Sequence, residues 1–397
     1  MTPASENQND GENGLVLLGG GHAHLEVLRR FAARPLRTAR VTLVSMFGQH
    51  HYSSLVPAFL QGRRSEHEFA FDLRAICRTA GATFVEGCAE SIDCAQRRVV
   101  VAGDSARVLS YHVLSIDVGS IPAGLAIPGV REHAFTVRPM SKAVALGRRL
   151  DALIVTALAH RASTTDGTES GDLPVCIIGA GAGGVEITLA VARRLRDAGL
   201  RGPISLIDHA AGSLAGYAPP IQRRVARLLT ARGISLRLGQ SVRAVEATAV
   251  QLDDGSRCAA ALTIWTTGAA APPLLATSAL ATDEQGFLLV DETLRAVGDA
   301  HVFGAGDCIA LRDHPRLPRA GVFAVRQGPI LAHNLRATLD GGRPRPFAPQ
   351  RHFLAILDTG DGRALLRWRE YSCHARWALA LKHLIDVRFV RRYQRLE

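Results

Sequence analysis

Long hydrophobic runs are missing from this sequence of 397 residues, although 47% of its residues are apolar. Gly, Arg or His interrupts every apolar run before the roughly 18 residues that a membrane-spanning helix needs, so no transmembrane helix is expected. Residues 1–13 lack the apolar core and basic start of a secretory signal, and they are predicted to form a disordered tail. The expected location is therefore the cytoplasm, with at most peripheral contact at the inner face of the cytoplasmic membrane.

Aromatic residues are scarce, at 5% of the chain, and the cysteines are few and scattered. The net charge of +11 is not interleaved with aromatic side chains, which argues against nucleic-acid binding. The seven cysteines are an odd number without CxxC or metal-ligand spacing, so neither a disulfide framework nor a metal site is predicted. Most of the positive charge is interpreted as a solvated surface, with a concentration at the C-terminus.

One pattern of strand, glycine turn, helix and second strand occurs twice, about 160 residues apart. Each copy is a βαβ opening, which predicts a parallel sheet and a Rossmann-like domain. The predicted first copy comprises strand 15–18, glycines 19–21, helix 24–33 and strand 41–44, and the second comprises strand 175–178, turn 179–184, helix 185–195 and strand 204–207.

The second glycine turn is regular, because Gly179, Gly181 and Gly184 fit G-x-G-x-x-G between a predicted strand and helix. Glycines at this spacing permit a tight turn and bring backbone N–H groups against a pyrophosphate at the helix N-terminus. The next strand ends in Asp208, where a carboxylate would accept two ribose hydroxyls and repel a 2′-phosphate. This half is predicted to bind NADH in preference to NADPH.

The first glycine turn is less regular. Gly19 and Gly21 are in place, but His24 takes the third position, where a small residue normally lets helix and strand approach each other. A histidine there predicts looser packing or a functional side chain near the nucleotide. Ser45 ends the second strand, where an acidic residue usually recognises ribose. FAD binding by this half therefore depends on a further motif, 304–307 (GAGD), whose carboxylate can meet a ribityl hydroxyl of the flavin.

An ordered set of motifs resembles the two-dinucleotide-binding-domain flavoproteins of the pyridine nucleotide-disulfide oxidoreductase superfamily. The opening GGGHAHLEVL and the ending LKHLIDVRFVRRYQ are similar to an NADH dehydrogenase-like branch, some of whose members are fused ahead of selenide, water dikinase. More broadly, the chain resembles type II NADH:quinone oxidoreductases. The motifs are GGGHAH at 19–24, LSIDVGS at 114–120, GAGAGGVE at 179–186, WTTG at 265–268, FGAGDC at 303–308 and AVRQGPILAHNL at 324–335.

The resemblance implies two sets of cofactor-binding residues, one for each half of the chain. Gln327 and Cys308 are candidates near the flavin, but no catalytic residue is firmly assigned. Disulfide reduction is not implied, because segment 45–62 holds no cysteine where such reductases carry C-x4-C. The set implied for FAD is Gly19, Gly21, His22, His24, Gly119, Asp307 and Gln327, and the set implied for NADH is Gly179, Gly181, Gly184, Glu186, Asp208 and Gly268.

Four histidines of the first half, His22, His24, His50 and His51, could converge on the nucleotide or the flavin. An imidazole there could donate to a pyrophosphate or shuttle a proton near neutral pH. No carboxylate companion or metal spacing accompanies them, so capping and packing roles are favoured.

The predicted fold is α/β, with two Rossmann-like dinucleotide-binding domains and a small C-terminal α+β unit. The FAD domain, 14–140 and 282–345, is interrupted by the NAD(P)H domain, 141–281, and the unit 346–397 follows. The polar stretch 162–172 is predicted to be a mobile loop at a domain boundary.

Residues 375–394 alternate apolar side chains with lysine, histidine and arginine. A basic amphipathic helix of this kind can lie in an anionic lipid interface. It can equally dock on its own protein or on a second copy in a homodimer, and the sequence leaves these alternatives open.

The favoured function is transfer of a hydride from NADH to the flavin, followed by electron delivery to a second acceptor, most simply a quinone. Two alternatives remain open. One is an FAD- and NADH-dependent reductase of a selenium or sulfur compound. The other is a nucleotide-responsive flavin-binding protein with little turnover.

Overall fold

The structure, a computed structural model, describes residues 14–103, 106–163, 172–214 and 216–397. The predicted tail at 1–13 and most of the predicted loop at 162–172 lie outside these ranges. None of the helices in them has the length and apolar character that crossing a bilayer requires.

The helices of the described residues are mostly amphipathic, with one face buried. In chain order they are α1 (His22–Ala33), α2 (Val56–Leu60), α3 (Leu73–Ala80), α4 (Val130–His133), α5 (Ser141–Ser163), α6 (Ala182–Asp197), α7 (Pro219–Thr230), α8 (Pro273–Ala276), α9 (Gly321–Leu339) and α10 (Arg376–Gln394).

The strands of the described residues are short, with none longer than six residues. In chain order they are β1 (Gly14–Leu18), β2 (Arg40–Ser45), β3 (Gln49–His51), β4 (Ala70–Asp72), β5 (Thr83–Glu86), β6 (Cys88–Asp93), β7 (Arg98–Ala102), β8 (Arg107–Ser110), β9 (Val113–Ile116), β10 (Ile121–Pro122), β11 (Ala134–Thr136), β12 (Val175–Ile178), β13 (Ile204–Asp208), β14 (Ile234–Leu238), β15 (Val242–Val245), β16 (Ala249–Leu252), β17 (Arg257–Ala259), β18 (Leu262–Trp265), β19 (Ala269–Ala270), β20 (Leu288–Val290), β21 (Val302–Gly304), β22 (Ile309–Leu311), β23 (Ala355–Asp358), β24 (Ala364–Trp368) and β25 (Tyr371–Ala375).

The first parallel sheet has the strand order β21-β9-β1-β2-β5. Every residue of β1 is buried, as expected for a parallel strand covered on both faces. Helix α1 packs against α9 and α3 beside this sheet. Strand β21 comes after the strands of the second sheet in the sequence, so the chain leaves the first sheet and later returns to it.

The second parallel sheet has the order β11-β18-β12-β13-β14. All four residues of β12 are buried. Strand β11 pairs with β18 although it lies before residue 141, so the chain enters the second sheet earlier than the boundary expected from sequence. A strand of three residues gives too short a pattern to be recognised.

After β5 the chain forms an antiparallel sheet of its own, β6-β7-β8, before β9 joins the first parallel sheet. Strands β10 and β19 pair where the chain passes between the two parallel sheets and back. The two segments that connect the parallel sheets therefore lie next to the strand ends that carry the predicted motifs.

The C-terminal unit consists of the antiparallel sheet β23-β24-β25 and α10. The inner face of α10 docks on the first domain, because the Phe389 ring stacks on Tyr52 at 4.2 Å and the Tyr393 hydroxyl donates to Glu26 at 3.2 Å. Trp377 and Leu384 on the outer face remain about half exposed, at 54% and 50%. The inner face of α10 therefore docks on its own chain, which was one of the predicted alternatives. These contacts do not involve the outer face.

Candidate functional site: a cavity between two glycine turns

A single cavity of about 1550 Å³ is lined by both glycine turns. It lies beyond the carboxyl ends of β1, β9 and β12, which is where open α/β sheets bind nucleotides. Of the predicted residues, those along this cavity are Gly19, Gly21, His22, Gly119, Gly179, Gly181, Glu186, Asp208, Gly268 and Asp307.

The first glycine turn leaves no space for side chains. Gly19 has φ +92°, a left-handed conformation, and a Cβ there would lie 2.4 Å from the carbonyl oxygen of Asp117. A Cβ on Gly21 would lie 2.2 Å from the carboxyl carbon of the same Asp117. Helix α1 begins at His22, so the N–H groups of its first turn point toward the cavity. The turn therefore suits close approach of a pyrophosphate.

His24 does not line this cavity. Its ring is completely buried, with Nδ1 2.7 Å from the Gly19 carbonyl oxygen and Nε2 2.8 Å from Ser115 Oγ. Burial lowers the pKa of His24 to about 4, so the ring is neutral at physiological pH. Nδ1–H therefore donates to the carbonyl, and Nε2 accepts from the serine. The imidazole is therefore packed tightly beneath the turn.

Asp307 lies at the cavity, in the turn that follows β21. Burial raises the pKa of its carboxyl, while Arg138 and Arg319 lower it. Gly306 has φ +76°, and its N–H donates to Gln327 Oε1 at 2.7 Å. Gln327 is buried behind the turn and lies outside the lining of the large cavity, so in this structure it contacts the turn and not the cavity.

Cys308 is fully buried and also lies outside the cavity lining. Its thiol lies 3.1 Å from the Ala305 carbonyl oxygen, and burial raises its pKa far above the usual value. A thiol that is neither accessible nor ionised is a poor nucleophile. The candidate redox role for Cys308 therefore finds no support.

The glycines of the second turn have different surroundings. Gly179 has φ +106°, and a Cβ on Gly184 would lie only 1.8 Å from the Gly179 carbonyl oxygen, so Gly184 permits close packing of α6 on the turn. A Cβ on Gly181 or Gly183 would meet nothing within 4 Å, because both face the open cavity. Asp208 stands at the end of β13 and accepts the Ala180 N–H, which holds the turn beside its carboxylate.

Glu186, on the first turns of α6, connects the cavity to the C-terminal unit. Its Oε1 accepts the N–H of Asp358 at 2.7 Å and lies 4.0 Å from Lys382 Nζ. Burial raises the pKa of Glu186 to about 7. Lys382 and the hydrogen bond from the Asp358 N–H oppose the shift, while the charges of Asp358 and Asp386 add to it. At neutral pH this carboxyl can both hold and release a proton.

Lys382 joins Glu186 to two further residues that sequence reasoning missed. Its Nζ donates to Ser54 Oγ at 2.6 Å and to Asp386 Oδ2 at 3.1 Å. Lys382 and Asp386 are four residues apart on the inner face of α10, a spacing that predicts an ion pair but not its burial. Ser54 lines the cavity beside α2, so this buried group reaches the site.

Three of the four histidines of the first half, His22, His50 and His51, line one wall of the cavity. The rings of His22 and His50 meet edge to face at 4.6 Å. Burial lowers the pKa of His22 to about 4 and lowers that of His50 well below its usual value, so both rings are neutral at physiological pH. His51 Nε2 instead lies 3.1 Å from Glu66 Oε1. A packing role suits these rings better than a proton shuttle.

The residues present fit FAD on the side of the first turn and a nicotinamide nucleotide on the side of the second. Each side offers a glycine turn at a helix N-terminus and an acidic side chain for hydroxyl groups, Asp307 and Asp208 respectively. Two dinucleotide folds that share one cavity define a flavoprotein oxidoreductase with two dinucleotide-binding domains.

The chain belongs to the pyridine nucleotide-disulphide oxidoreductase family, whose model matches residues 14–334. The matched residues include both glycine turns and the GAGD motif at 304–307. An NADH dehydrogenase-like protein of Mycobacterium tuberculosis is 33% identical over 241 residues, which cover 59% of this chain and 56% of the relative. A type II NADH:quinone oxidoreductase of Staphylococcus aureus is 20% identical over 95% of this chain and 94% of its own length.

Two solved structures share the fold over nearly the whole chain. NDH2 from Plasmodium falciparum in complex with NADH superposes with a TM-score of 0.81 at 14% identity, covering 97% of this chain and 96% of its own. The sulfide:quinone oxidoreductase of Aquifex aeolicus has a TM-score of 0.77 at 19% identity, covering 97% and 92%.

Proposed function

We propose that this protein transfers a hydride from NADH to FAD and passes the electrons to a quinone. The observation that carries the acceptor half is the group of Glu186, Lys382 and Asp386, all buried, with the half-buried Ser54 at the cavity wall. The full-length similarity to type II NADH:quinone oxidoreductases supports the same acceptor. Segment 45–62 carries serines at 53 and 54 and no cysteine, so it lacks the thiols that disulfide reduction would require.

FAD, when bound, supplies the redox chemistry by taking two electrons from NADH and returning them to the acceptor. The protein positions the two cofactors and excludes water from the site. The two glycine turns would hold the pyrophosphate groups, while Asp307 and Asp208 would accept hydroxyl groups of the two ligands. The neutral imidazole and aromatic side chains beside α1 exclude water from the flavin side of the cavity.

Reduction of a quinone to a quinol consumes two electrons and two protons. NADH delivers both electrons and one proton as a hydride, so one further proton must come from solvent. Glu186 can pass on this proton, because its carboxyl is buried at the cavity and its pKa is about 7. Lys382 lies 4.0 Å away and stabilises the carboxylate that remains. The raised pKa means that the donor is protonated below about pH 7 and lost as pH rises through that value.

The Glu186→Gln variant separates the two half-reactions. In anaerobic stopped-flow mixing we expect NADH to bleach the flavin at close to the wild-type rate. Reoxidation by a menaquinone or ubiquinone analogue should slow by about a hundredfold, the usual contribution of a general acid. Wild-type reoxidation should slow above pH 7, and this dependence should disappear in the variant.

Glu132→Gln, on the exposed helix α4, is the matched control and should leave both phases unchanged. Absence of bleaching by either nucleotide would overturn the proposed function as a whole. Reoxidation by selenium or sulfur compounds but not by quinones would overturn the acceptor. If Glu186→Gln slowed the bleaching phase alone, Glu186 would serve NADH binding instead.

A preference for NADH over NADPH is proposed from Asp208. Its carboxylate stands at the cavity and is fixed by the backbone N–H groups of Ala180 and Ala210. The Asp208→Asn variant keeps the shape but removes the charge that would repel a 2′-phosphate. We expect kcat/KM for NADH to fall by about tenfold and the preference for NADH to narrow, since one charged hydrogen bond contributes about 1.5–3 kcal/mol. An unchanged ratio of the two kcat/KM values would contradict this assignment.

Contact with a membrane is proposed for the outer face of α10. Trp377, Leu384 and Ile385 are 54%, 50% and 42% exposed, and Arg388 and Arg391 lie on the same helix. Exposed apolar side chains flanked by arginines suit an anionic lipid surface. Such a surface is also where a lipid-soluble quinone is found.

A further inference from the structure

Asp117 occupies the N-terminus of α1 from the side of the first sheet. It directly follows β9, and its side chain is 3% exposed although it borders the cavity. One carboxylate oxygen, Oδ2, accepts the N–H of Ala23 at 2.8 Å and that of His24 at 3.1 Å. These are second- and third-residue N–H groups of α1. They belong to the set of donors that a helix N-terminus offers to an anion.

The same carboxylate packs against two turns on the flavin side, the first glycine turn and the turn that contains Gly306. It lies so close to Gly21 and Gly306 that a Cβ on either would fall 2.2–2.3 Å from it. Ser115, two residues earlier, holds His24 beneath Gly19. The end of β9 therefore sets the position of the glycine turn, and through Gly306 it also reaches Asp307.

The ionisable surroundings of Asp117 offer no counter-charge to a carboxylate. Asp307 on the facing turn is acidic and raises the pKa of Asp117, and Cys308 beside it is a protonated thiol. The His24 ring is neutral and engaged with Gly19 and Ser115, and the nearby His22 ring is neutral as well. Burial is the largest cause and raises the pKa of Asp117 to about 7, against the opposing effect of the two N–H groups.

We propose that Asp117 is a positioning residue whose protonation is coupled to FAD binding, so that FAD binding takes up a proton from solvent wherever Asp117 of the free protein is ionised. A pyrophosphate placed at the N-terminus of α1 brings negative charge beside a carboxylate that already uses two of its N–H donors. Two anions at one buried helix end repel each other, and protonation of Asp117 removes this repulsion. The neutral acid still accepts through its carbonyl oxygen, so the turn keeps its shape.

The sign of the pH dependence follows from this linkage. In the free protein the pKa of Asp117 is about 7. If bound FAD raises this pKa, the affinity for FAD is highest, and independent of pH, below pH 7. Affinity then falls as pH rises toward the higher pKa of the complex. One proton taken up corresponds to a slope of at most about tenfold per pH unit.

The test is the dissociation constant of FAD from the holoenzyme between pH 6 and 9, measured as free flavin fluorescence after dilution and ultrafiltration. No turnover is involved, so the result does not depend on the acceptor or on the proposed function. We expect wild-type affinity to fall by about tenfold or more between pH 7 and 9. Asp117→Asn, which is neutral at every pH, should hold FAD with a flat profile. Asp313→Asn, which changes an exposed carboxylate, should keep the wild-type slope.

A flat wild-type profile would overturn the proposal, and so would an Asp117→Asn profile as steep as the wild type. If Asp117→Asn fails to fold, Asp117→Ser serves in its place, because a hydroxyl can still accept an N–H of α1 and does not titrate in this range. A wild-type slope that persists in Asp117→Ser assigns the proton to another group and overturns the proposal.

Discussion

Replacing Gly184 with alanine is expected to lower kcat/KM for NADH by about ten- to a hundredfold while FAD content stays at the wild-type level. A Cβ at this position would lie 1.8 Å from the carbonyl oxygen of Gly179 and 2.7 Å from Thr266 Oγ. Both are firmly held, so α6 must move away from the turn that binds the nucleotide. Overpacking of this kind costs about 1–3 kcal/mol, which corresponds to this loss. The readouts are steady-state kinetics with NADH, the flavin to protein ratio and the melting temperature.

Gly183→Ala is the matched control for this variant. A Cβ there meets nothing within 4 Å, and the residue lies inside α6. Alanine is favoured over glycine in a helix by up to about 1 kcal/mol, so the melting temperature should hold or rise while that of Gly184→Ala falls. Equal melting temperatures in the two variants would show that the close approach at Gly184 does not constrain the fold.

Replacing Phe389 with alanine is expected to destabilise the protein by about 3–5 kcal/mol, the usual cost of deleting a buried phenylalanine side chain. Its ring is 9% exposed and contacts Tyr52, His22 and Tyr393. The loss opens the wall of the flavin side, so FAD should also dissociate more readily. Urea unfolding and flavin release measure the two effects.

Trp377→Ala on the same helix should behave in the opposite way. Its side chain is 54% exposed, so the free energy of unfolding should change by less than about 0.5 kcal/mol. Cosedimentation with anionic phospholipid vesicles should weaken instead, if the outer face of α10 meets lipid. Unchanged vesicle binding together with a concentration-dependent change in oligomeric state would indicate that this face contacts a second copy of the chain.

Much of the fold was predictable because its signals are local. The buried runs of β1 and β12, the glycine turns after them and the amphipathic helices that follow lie within about 20 residues of each other in each half. Strand β11, with only three residues, was not predicted, since so short a segment carries no periodicity. The predicted boundary at residue 141 therefore missed the entry of β11 into the second sheet.

The candidate site was predicted less completely than the fold. Motif glycines and the acidic residues after the strands reach the cavity, because strand ends at one edge of a parallel sheet must face the same space. His24, Gln327 and Cys308 lie beside these motifs, yet they point into the protein. Sequence position sets the distance of a residue from the cofactor but not the direction of its side chain.

By itself the sequence determined two Rossmann-like folds, their order along the chain and the glycine turns that bind dinucleotides, since strand and helix periodicity and the needs of a tight turn act over a few residues. Only the tertiary structure decided which polar groups meet. Ser54 and Asp386, 332 residues apart, share a hydrogen bond, and Asp117 caps a helix that lies 94 residues earlier. Contacts of this kind depend on how whole elements pack, and no local pattern encodes that packing.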